Sequence, residues 1–428
     1  MRRRSFMLIA GEASGDVLAA ELVDALRRQS SGAPFPPQFL GAGGERMAAA
    51  GVDLAFDLTA HSVIGLLEAL MDYRKFKRLF EQLFQLACLR QPDAIICVDF
   101  SGFNRRFAHA ICRHVRARRG PFNNWNPKII QYVSPQVWAS RPGRAHALAH
   151  DIDLLLSIFP FEKQWYAMRV PWLRVEFVGH PIVDRFVAAR PQREPSPVQA
   201  EPALELEPDG KGAPTCHEPR IADKPRSFAT KRTALQRIPT VLLLPGSRAG
   251  ELQRHLPVML GAARVLQKAR PDLSFRMVLP DETLRRIADA TSALLPGLQT
   301  QAGGLAEALA QADLAISKSG TITLECAFFG VPTVVIYRSS WSTYQIARRV
   351  VTVRYLAIAN LLANEPIYPE FVQGEATADA IARAALDLLQ DQVRRAQIKA
   401  RLAQVIQSLG EPGASQRAAA AIVNLLGP

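Results

Sequence analysis

The chain has 428 residues, more than a single hydrophobic core usually serves, so two domains are expected. Hydrophobic residues make up 48% and charged residues 21% of it, as in globular proteins, and no apolar run approaches the ~20 residues that a membrane span needs. The formal net charge of +13 indicates an anionic partner, either nucleic acid, an anionic membrane or an anionic substrate, unless it reflects only an Arg-rich proteome.

The first ten residues are basic and then apolar, which is similar to a secretory signal. The apolar stretch is short, and Gly11 and Glu12 interrupt it, so we predict a first buried strand and a cytoplasmic protein. The five cysteines form no CxxC pair and no His-rich spacing, which predicts neither zinc nor disulfides. No zinc-finger, RNP or basic helix-turn-helix pattern is present, so nucleic acid is not the expected partner.

Short apolar runs alternate with helical stretches in the first 185 residues, which predicts a parallel α/β sheet. The predicted strands are residues 5–10, 38–41, 94–98, 129–133, 154–158 and 175–178. The predicted helices are residues 15–30, 61–89 and 104–118. Residues 190–238 are rich in proline and charge and lack a sustained apolar period, so we predict a linker insert there.

The alternation resumes after the insert and predicts a second α/β unit. Its predicted strands are residues 240–244, 274–279, 299–301, 314–317 and 333–337, and its predicted helices are residues 251–269, 281–295, 305–311 and 321–329. Beyond residue 337 we expect only helices, at 343–352, 377–407 and 415–426. The predicted domains are therefore two Rossmann-like units, residues 1–188 and 239–428, joined by a Pro-rich segment at 189–238.

Ligands of such sheets bind beyond the carboxyl ends of the strands, which directs attention to the loops there. In the first such loop, Ser14 or Asp16 can cap the following helix or contact a ligand. Asp99 follows a strongly apolar strand, and we interpret it as a general base, with Asn104 as the cap of the next helix. Trp138 and His180 also follow strands, and structural and functional roles are equally open for both.

The second unit carries a phosphate-binding pattern. Ser247 and Arg248 end a buried strand at a Pro-Gly-Ser-Arg turn, which offers backbone N–H groups, a hydroxyl and a guanidinium. Ser319, Gly320 and Thr321 form a small-residue loop that opens a helix, and Glu325 lies within the first turns of that helix among apolar neighbours. Together these elements predict binding of a diphosphate and a ribose, and hence a nucleotide-sugar transferase.

Residues 61–89 combine an apolar stretch from Val63 to Met71 with the basic residues Arg74, Lys75, Lys77 and Arg78. Such a pattern is typical of a helix at a membrane surface, although burial in the core explains it as well.

With these motifs in hand, the chain resembles the lipid-A-disaccharide synthase family over nearly its whole length. The resemblance implies a GT-B fold and an inverting, metal-independent transfer that needs no cofactor. A 2,3-diacylglucosamine unit moves from UDP to the 6-hydroxyl of 2,3-diacylglucosamine 1-phosphate, which gives the β-1′,6-linked disaccharide phosphate and UDP. The motifs that carry the resemblance are Ala10-Gly-Glu-Ala-Ser-Gly-Asp16, Val98-Asp-Phe-Ser-Gly-Phe-Asn104, Tyr132-Val-Ser-Pro-Gln-Val-Trp138, Phe159-Pro-Phe-Glu162, Val178-Gly-His-Pro181, Leu243-Leu-Pro-Gly-Ser-Arg248, Ser319-Gly-Thr321, Leu324-Glu-Cys326 and Asn360-Leu-Leu-Ala363.

The resemblance also implies roles for residues and partners. Asp99 would be the base, and the residues expected to bind the substrates are Ser14, Asp16, Asn104, Ser247, Arg248, Ser319, Gly320, Thr321, Glu325 and Asn360. The family works as a peripheral enzyme at the inner face of the cytoplasmic membrane, and a homodimer is expected. Many relatives carry a second aspartate where this chain has Gly102, which favours Asp99 as the base, and the 190–238 insert is longer than usual.

Two other functions remain alternatives at this point. A UDP-N-acetylglucosamine 2-epimerase would share the fold and the UDP site but would act without an acceptor lipid. A basic RNA- or membrane-binding module without catalysis would release no UDP from any donor.

Overall fold

The computed structural model describes residues 3–32, 34–61, 73–187, 238–292 and 295–427. Within them the chain forms two β-sheets flanked by helices, and every pair of neighbouring strands is parallel. The predicted insert lies outside the described residues except for Ile238, and so does the apolar stretch from Val63 to Met71. Among the described residues, no helix is both long enough and apolar enough to cross a membrane.

The first sheet has seven strands in the order β3-β2-β1-β4-β5-β6-β7. Its elements are β1 Ser5–Ala10, α1 Ala13–Gln29, β2 Gln38–Gly43, α2 Glu45–Ala49, β3 Asp53–Asp57, a 3-10 turn Thr59–His61, α3 Tyr73–Arg90, β4 Ala94–Val98, α4 Ser101–Arg118, β5 Lys128–Tyr132, α5 Val137–Ser140, α6 Arg144–Asp151, β6 Leu154–Ser157, α7 Pro160–Ala167, β7 Val175–Phe177 and α8 Pro181–Val187.

The second sheet has six strands in the order β10-β9-β8-β11-β12-β13. Its elements are β8 Thr240–Leu244, α9 Ala249–Ala269, β9 Ser274–Leu279, α10 Glu282–Ser292, β10 Gln299–Ala302, α11 Leu305–Gln311, β11 Leu314–Lys318, α12 Ile322–Phe328, β12 Thr333–Tyr337, α13 Trp341–Val350, α14 Ile358–Ala363, β13 Glu370–Val372, a 3-10 turn Gln373–Glu375, α15 Ala378–Gln390, α16 Gln392–Ser408 and α17 Ala414–Leu426.

The central strands are apolar throughout because helices cover both faces of each sheet. In β1, Phe6 and Leu8 join the core that includes α1, whereas Met7 and Ile9 join the core on the opposite face. Neighbouring strands also come very close at Gly41 of β2, where a Cβ atom would lie 1.9 Å from the Leu8 carbonyl oxygen. Its φ of +153° is one that side-chain-bearing residues rarely adopt, so glycine is required at this point of the sheet.

The strand predictions are confirmed at every predicted site, with ends that differ by one or two residues. Three predictions about the rest of the chain, one for a strand and two for helices, are wrong. The chain beyond residue 337 is not only helical, because β13 pairs with β12 and adds a strand to the second sheet. The predicted helix at 377–407 is two helices, since Asp391 ends α15 and caps α16 by accepting a hydrogen bond from the Arg394 N–H at 2.8 Å.

The third wrong prediction concerns helix caps. Helix α1 begins at Ala13 with Glu12 as its N-cap residue, so neither Ser14 nor Asp16 caps it. Helix α4 begins at Ser101, which places Asn104 inside the first turn rather than at the cap.

The last helix, α17, returns to the first sheet and packs against α1. Asp184 of α8 accepts hydrogen bonds from the backbone N–H groups of Gly413 and Ala414 at the start of α17. Arg417 donates to the Val178 carbonyl oxygen at 2.8 Å. The end of the chain therefore fastens the second half of the molecule to the first.

Candidate functional site

The strand order of each sheet reverses once, and the reversal marks where a parallel sheet binds its ligand. In the first sheet the reversal lies between β1 and β4, whose carboxyl ends lead into Gly11 and Asp99. In the second sheet it lies between β8 and β11, which lead into the Gly246–Arg248 turn and the Ser319–Thr321 loop. The motifs singled out from the sequence thus occupy the two positions that the topology favours.

Asp99 lies directly after β4 in a left-handed conformation with a φ of +47°. Its N–H donates to the Tyr132 carbonyl oxygen at 2.9 Å, and its own carbonyl oxygen accepts from Asn104 Nδ2 at 2.8 Å. Burial, and then the negative charge of Glu12, raise the pKa of the Asp99 carboxyl. A partly buried carboxylate that is more basic than usual is well suited to accept a proton, and the left-handed backbone that carries it is typical of functional sites.

The neighbouring residue Phe100 is also left-handed, with a φ of +43°. Its ring lies against Gly11, where a Cβ atom would come within 2.2 Å of the ring. The absence of a side chain at Gly11 therefore leaves the space that this ring occupies. Gly11 and Phe100 together set the position of Asp99 relative to the loop after β1.

Arg248 is the N-cap residue of α9 and connects the two halves of the molecule. Its guanidinium lies 3.5 Å from the Glu12 carboxylate, which belongs to the loop after β1. This ion pair crosses the space between the two sheets and brings the loop near Asp99 next to the Gly-Ser-Arg turn.

Glu251 organises the turn on the side of the second sheet. One of its oxygens accepts from the Ser247 N–H at 3.0 Å, and the other accepts from Lys318 Nζ at 3.1 Å. Arg248 lies 3.9 Å from the same carboxylate. Burial acts to raise the pKa of Glu251, but Lys318, the Ser247 N–H and Arg248 outweigh it and hold the pKa below its usual value. Two cations are therefore held side by side at the start of α9.

A pocket of about 220 Å³ opens beside these cations. Glu325 lines it together with Thr321, Lys318 and Ser247, and the rest of its wall is largely apolar. Burial raises the pKa of Glu325 to about 7, although the charge of Arg185 acts in the opposite direction. Glu325 can therefore offer either a hydrogen-bond donor or an acceptor to a hydroxyl group near neutral pH.

The loop before α12 contributes mainly its backbone. Gly320 has a φ of +135°, and a Cβ atom there would lie 3.1 Å from Lys318 Nζ. Ser319 is already engaged, since its hydroxyl donates to the Leu356 carbonyl oxygen at 3.0 Å. Thr321 and, in the first half, Ser14 are exposed.

Three of the residues expected to bind the substrates, Asp16, Asn104 and Asn360, are buried and hydrogen-bonded to the chain. Asp16 accepts from three backbone N–H groups at the start of α2. The Asn104 amide donates to three carbonyl oxygens around Asp99, and its own oxygen has no partner among the described residues. Asn360 holds Tyr368 and Glu370 at 2.8 Å each. In this arrangement, each of the three side chains holds a loop of the chain in place.

Two aromatic candidates of the first half have structural partners. Trp138 Nε1 donates to Glu162 at 2.9 Å, and burial raises the pKa of that carboxyl to about 7. Burial and Arg185 lower the pKa of His180 to about 3, and its Nδ1 accepts from the Ile182 N–H at 3.1 Å. His180 is thus a neutral residue directly before α8, where it has a structural partner in the backbone.

Sequence reasoning missed Glu12, Glu251 and Lys318 as parts of the site. Glu12 lies inside the Ala10–Asp16 motif, and Lys318 directly precedes the Ser319–Thr321 loop, where glycine and serine are the more conspicuous residues. Glu251 follows Arg248 by three residues, which is the spacing of neighbours on a helix, and this spacing was the available signal.

Comparison with known proteins finds the same family by a family model and by individual relatives. The family model described as lipid-A-disaccharide synthetase matches residues 6–205 and 219–424. The lipid-A-disaccharide synthase of Syntrophus aciditrophicus is 34% identical over 431 residues, covering 100% of this chain and 99% of the relative. The one of Geobacter sulfurreducens is 33% identical over 424 residues, covering 98% and 97%.

Solved structures confirm the predicted GT-B fold. A putative UDP-N-acetylglucosamine 2-epimerase from Listeria monocytogenes matches with a TM-score of 0.57 at 15% identity, over 98% of this chain and 96% of that one. The glycotransferase of kitacinnamycin matches with a TM-score of 0.58 at 17% identity, over 100% of both chains. At such identities the likeness concerns the fold alone.

Proposed function

Because the chain belongs to the lipid-A-disaccharide synthase family, we propose that the groups facing each other across its two sheets carry out the family's sugar transfer. The protein is a glycosyltransferase that joins UDP-2,3-diacylglucosamine to 2,3-diacylglucosamine 1-phosphate, and it forms the lipid A disaccharide and UDP. The observation that supports the residue assignment is the Glu12–Arg248 contact, which joins the loop after β1 to the Gly-Ser-Arg turn of the second half.

On the side of the second sheet, we propose that Arg248 and Lys318 hold the diphosphate of the donor. Ser247, Ser319, Gly320 and Thr321 would add backbone and hydroxyl groups, and Glu325 would accept the ribose. The amino end of α9 adds the positive end of a helix dipole at the same place. When the bond between the sugar C1 and the diphosphate breaks, these groups stabilise the charge that develops on UDP.

On the side of the first sheet, Asp99 is the proposed general base. It takes the proton of the acceptor 6-hydroxyl while that oxygen attacks C1 from the face opposite UDP, which inverts the configuration. Gly102 provides no second carboxylate, so Asp99 has no competitor in this loop. Ser14 is a proposed direct contact, whereas Asp16, Asn104 and Asn360 would act through the loops that they hold.

The epimerase alternative is not favoured. The epimerases among the structural matches are 10–15% identical to this chain, whereas the lipid-A-disaccharide synthases are 33–34% identical over almost all of it.

We further propose that the protein binds the inner face of the cytoplasmic membrane, where acylated substrates reside. The net charge of +13 supports this, as does α3. There Phe76 and Phe80 pack against the core while Arg74, Lys75, Lys77 and Arg78 are exposed or nearly so. Flotation with anionic and neutral vesicles tests the proposal. The homodimer and the division at 1–188, 189–238 and 239–428 also remain proposals.

Substitution of Asp99 by Asn tests the assignment of the base. Asparagine tolerates the left-handed backbone better than alanine, so the loop should keep its shape. We expect turnover in a thin-layer assay with both lipid substrates to fall by about 10²–10⁴-fold while UDP still binds. Asp24→Asn, an exposed change on α1, is the control. Unaltered turnover in Asp99→Asn would remove Asp99 as the base, and a wild-type protein that makes no disaccharide would refute the function itself.

A further inference from the structure

Three arginines of the first half, Arg105, Arg141 and Arg144, are not used by the mechanism above. Arg105 lies on α4, which begins two residues after Asp99. Arg141 and Arg144 follow the short helix α5, and the Arg144 N–H donates to the Arg141 carbonyl oxygen at 3.0 Å, so the two residues share one turn. Each of the three follows the carboxyl end of a central strand, the edge of the sheet at which Asp99 lies.

The packing of α4 against α6 brings Arg105 level with Arg144. Both helices connect parallel strands and run in the same direction, away from the carboxyl edge of the sheet. They touch where Cys112 Sγ approaches the Asp151 carbonyl oxygen at 3.4 Å. Arg105 precedes Cys112 by seven residues on α4, and Arg144 precedes Asp151 by seven residues on α6. Seven residues are about two helical turns, so both arginines lie on the facing sides of the two helices, nearer the carboxyl edge of the sheet.

The charge of the three arginines is not compensated by a carboxylate from the part of the chain that the structure describes. Among the described residues, none of the three forms an ion pair or a side-chain hydrogen bond. Although Arg144 is exposed, a small loss of solvation, and then the like charges of Arg141 and Arg105, lower its pKa, which indicates that the three guanidinium groups lie near one another. Neighbouring cations repel one another, and an anion bound between them replaces this repulsion with attraction.

The second half of the molecule approaches this cluster. The Thr352 N–H donates to the Ala139 carbonyl oxygen at 2.9 Å, two residues before Arg141. Arg141 and Arg144 are exposed to solvent and lie next to the place where the second half of the molecule meets the first, so an anion in solution can reach them.

We propose that Arg105, Arg141 and Arg144 form a subsite for a phosphate monoester, the 1-phosphate of the acceptor sugar. The inference rests on the proposed function, which places the acceptor against the first sheet. Guanidinium groups bind phosphate through paired hydrogen bonds, and three of them match a dianion that carries three terminal oxygens. The subsite holds the acceptor by its anomeric end and leaves its 6-hydroxyl free to reach Asp99.

A cycle of protein and substrate changes tests the subsite. Wild type and Arg144→Gln are assayed in neutral-detergent micelles with 2,3-diacylglucosamine 1-phosphate and with the same lipid lacking its phosphate. We expect Arg144→Gln to raise the KM for the phosphorylated acceptor by about tenfold, the effect of one charged hydrogen bond. The variant should discriminate against the unphosphorylated lipid less than wild type does. UDP affinity should be unchanged.

Arg113→Gln, a change of the same charge at an exposed position on α4, is the matched control and should behave as wild type. An equal loss with both acceptors, or an unchanged KM, would overturn the subsite. A phospholipid-headgroup site predicts instead that Arg144→Gln weakens binding to anionic vesicles and leaves the KM in neutral micelles unaltered, which also overturns it. Wild type inactive with both acceptors would refute the function rather than the subsite.

Discussion

Among single residues of the site, Arg248 contacts carboxylates from both halves of the molecule. Glu12 lies 3.5 Å from it and Glu251 lies 3.9 Å from it, so its charge is partly compensated by two carboxylates at ordinary ion-pair distances. Both contacts are longer than a strong hydrogen bond, and the guanidinium is 40% exposed. A diphosphate can therefore take up the guanidinium without breaking a tight pair.

Replacement of Arg248 by Ala should weaken UDP binding. A lost hydrogen bond to a charged group corresponds to roughly 1.5–3 kcal/mol, or about tenfold to a hundredfold in Kd. Titration calorimetry with UDP measures the change, and Arg254→Ala, an exposed substitution on the same helix, serves as the control. An unchanged Kd would show that Arg248 does not bind the diphosphate.

At the scale of elements, Glu162 of α7 joins this helix to α5 through Trp138. It accepts from Trp138 Nε1 at 2.9 Å and from the Phe159 N–H at 3.3 Å, and it is completely buried. Burial raises its pKa to about 7, so the folded protein holds a proton there that the unfolded chain releases near pH 4.5. Stability from this group is therefore lost as pH rises from about 4.5 through 7.

The variant Glu162→Gln should remove that loss, because glutamine resembles the protonated acid. Relative to wild type, the variant should gain stability as pH rises from 5 to 8, by at most about 3 kcal/mol. Denaturant melts of both proteins at each pH give the difference between their free energies of unfolding. His180 costs stability as pH falls below about 6.5, but it does so in both proteins, so its effect cancels in this difference. A difference that does not change with pH would contradict this assignment, and the exposed Glu81→Gln should show none.

Sequence reasoning succeeded with elements that carry their own pattern. Strands such as β4 and β8 are continuous apolar runs buried on both faces, and this composition identifies them without any tertiary context. β13 could not be found this way, because its three half-buried residues become a strand only by pairing with β12. The cap prediction for Asn104 failed for a similar reason, since its amide serves three carbonyl oxygens that only the folded sheet brings together.

The candidate site follows the same division. Asp99 and Arg248 were predictable because their residue types follow strands at positions where ligands bind. Glu12 was not, because its role depends on a partner 236 residues away in the chain. Local patterns therefore identified each half of the site, and the contact between the halves required the structure.

At the scale of the whole molecule, Glu12 couples the two halves chemically. Its carboxylate contacts Arg248 of the second half, and its charge, after burial, raises the pKa of Asp99 in the first. The same residue therefore restrains the proposed UDP clamp and tunes the proposed base. Although Glu12 is the N-cap residue of α1, its side chain makes no capping hydrogen bond, so it can be changed without loss of a cap.

Substitution of Glu12 by Gln should accordingly change the pKa of Asp99 in the first half and the affinity for UDP in the second. The pKa of Asp99 should fall because a nearby negative charge is removed, so the acidic limb of the pH profile of kcat/KM should move to lower pH. UDP should bind more tightly, by up to about fivefold, because Arg248 loses a competing partner of the kind that contributes ~0.2–1 kcal/mol. Glu307→Gln, exposed on α11, should change neither property. An acidic limb that stays in place while UDP affinity rises would separate Glu12 from Asp99, and an unchanged UDP affinity would separate it from Arg248.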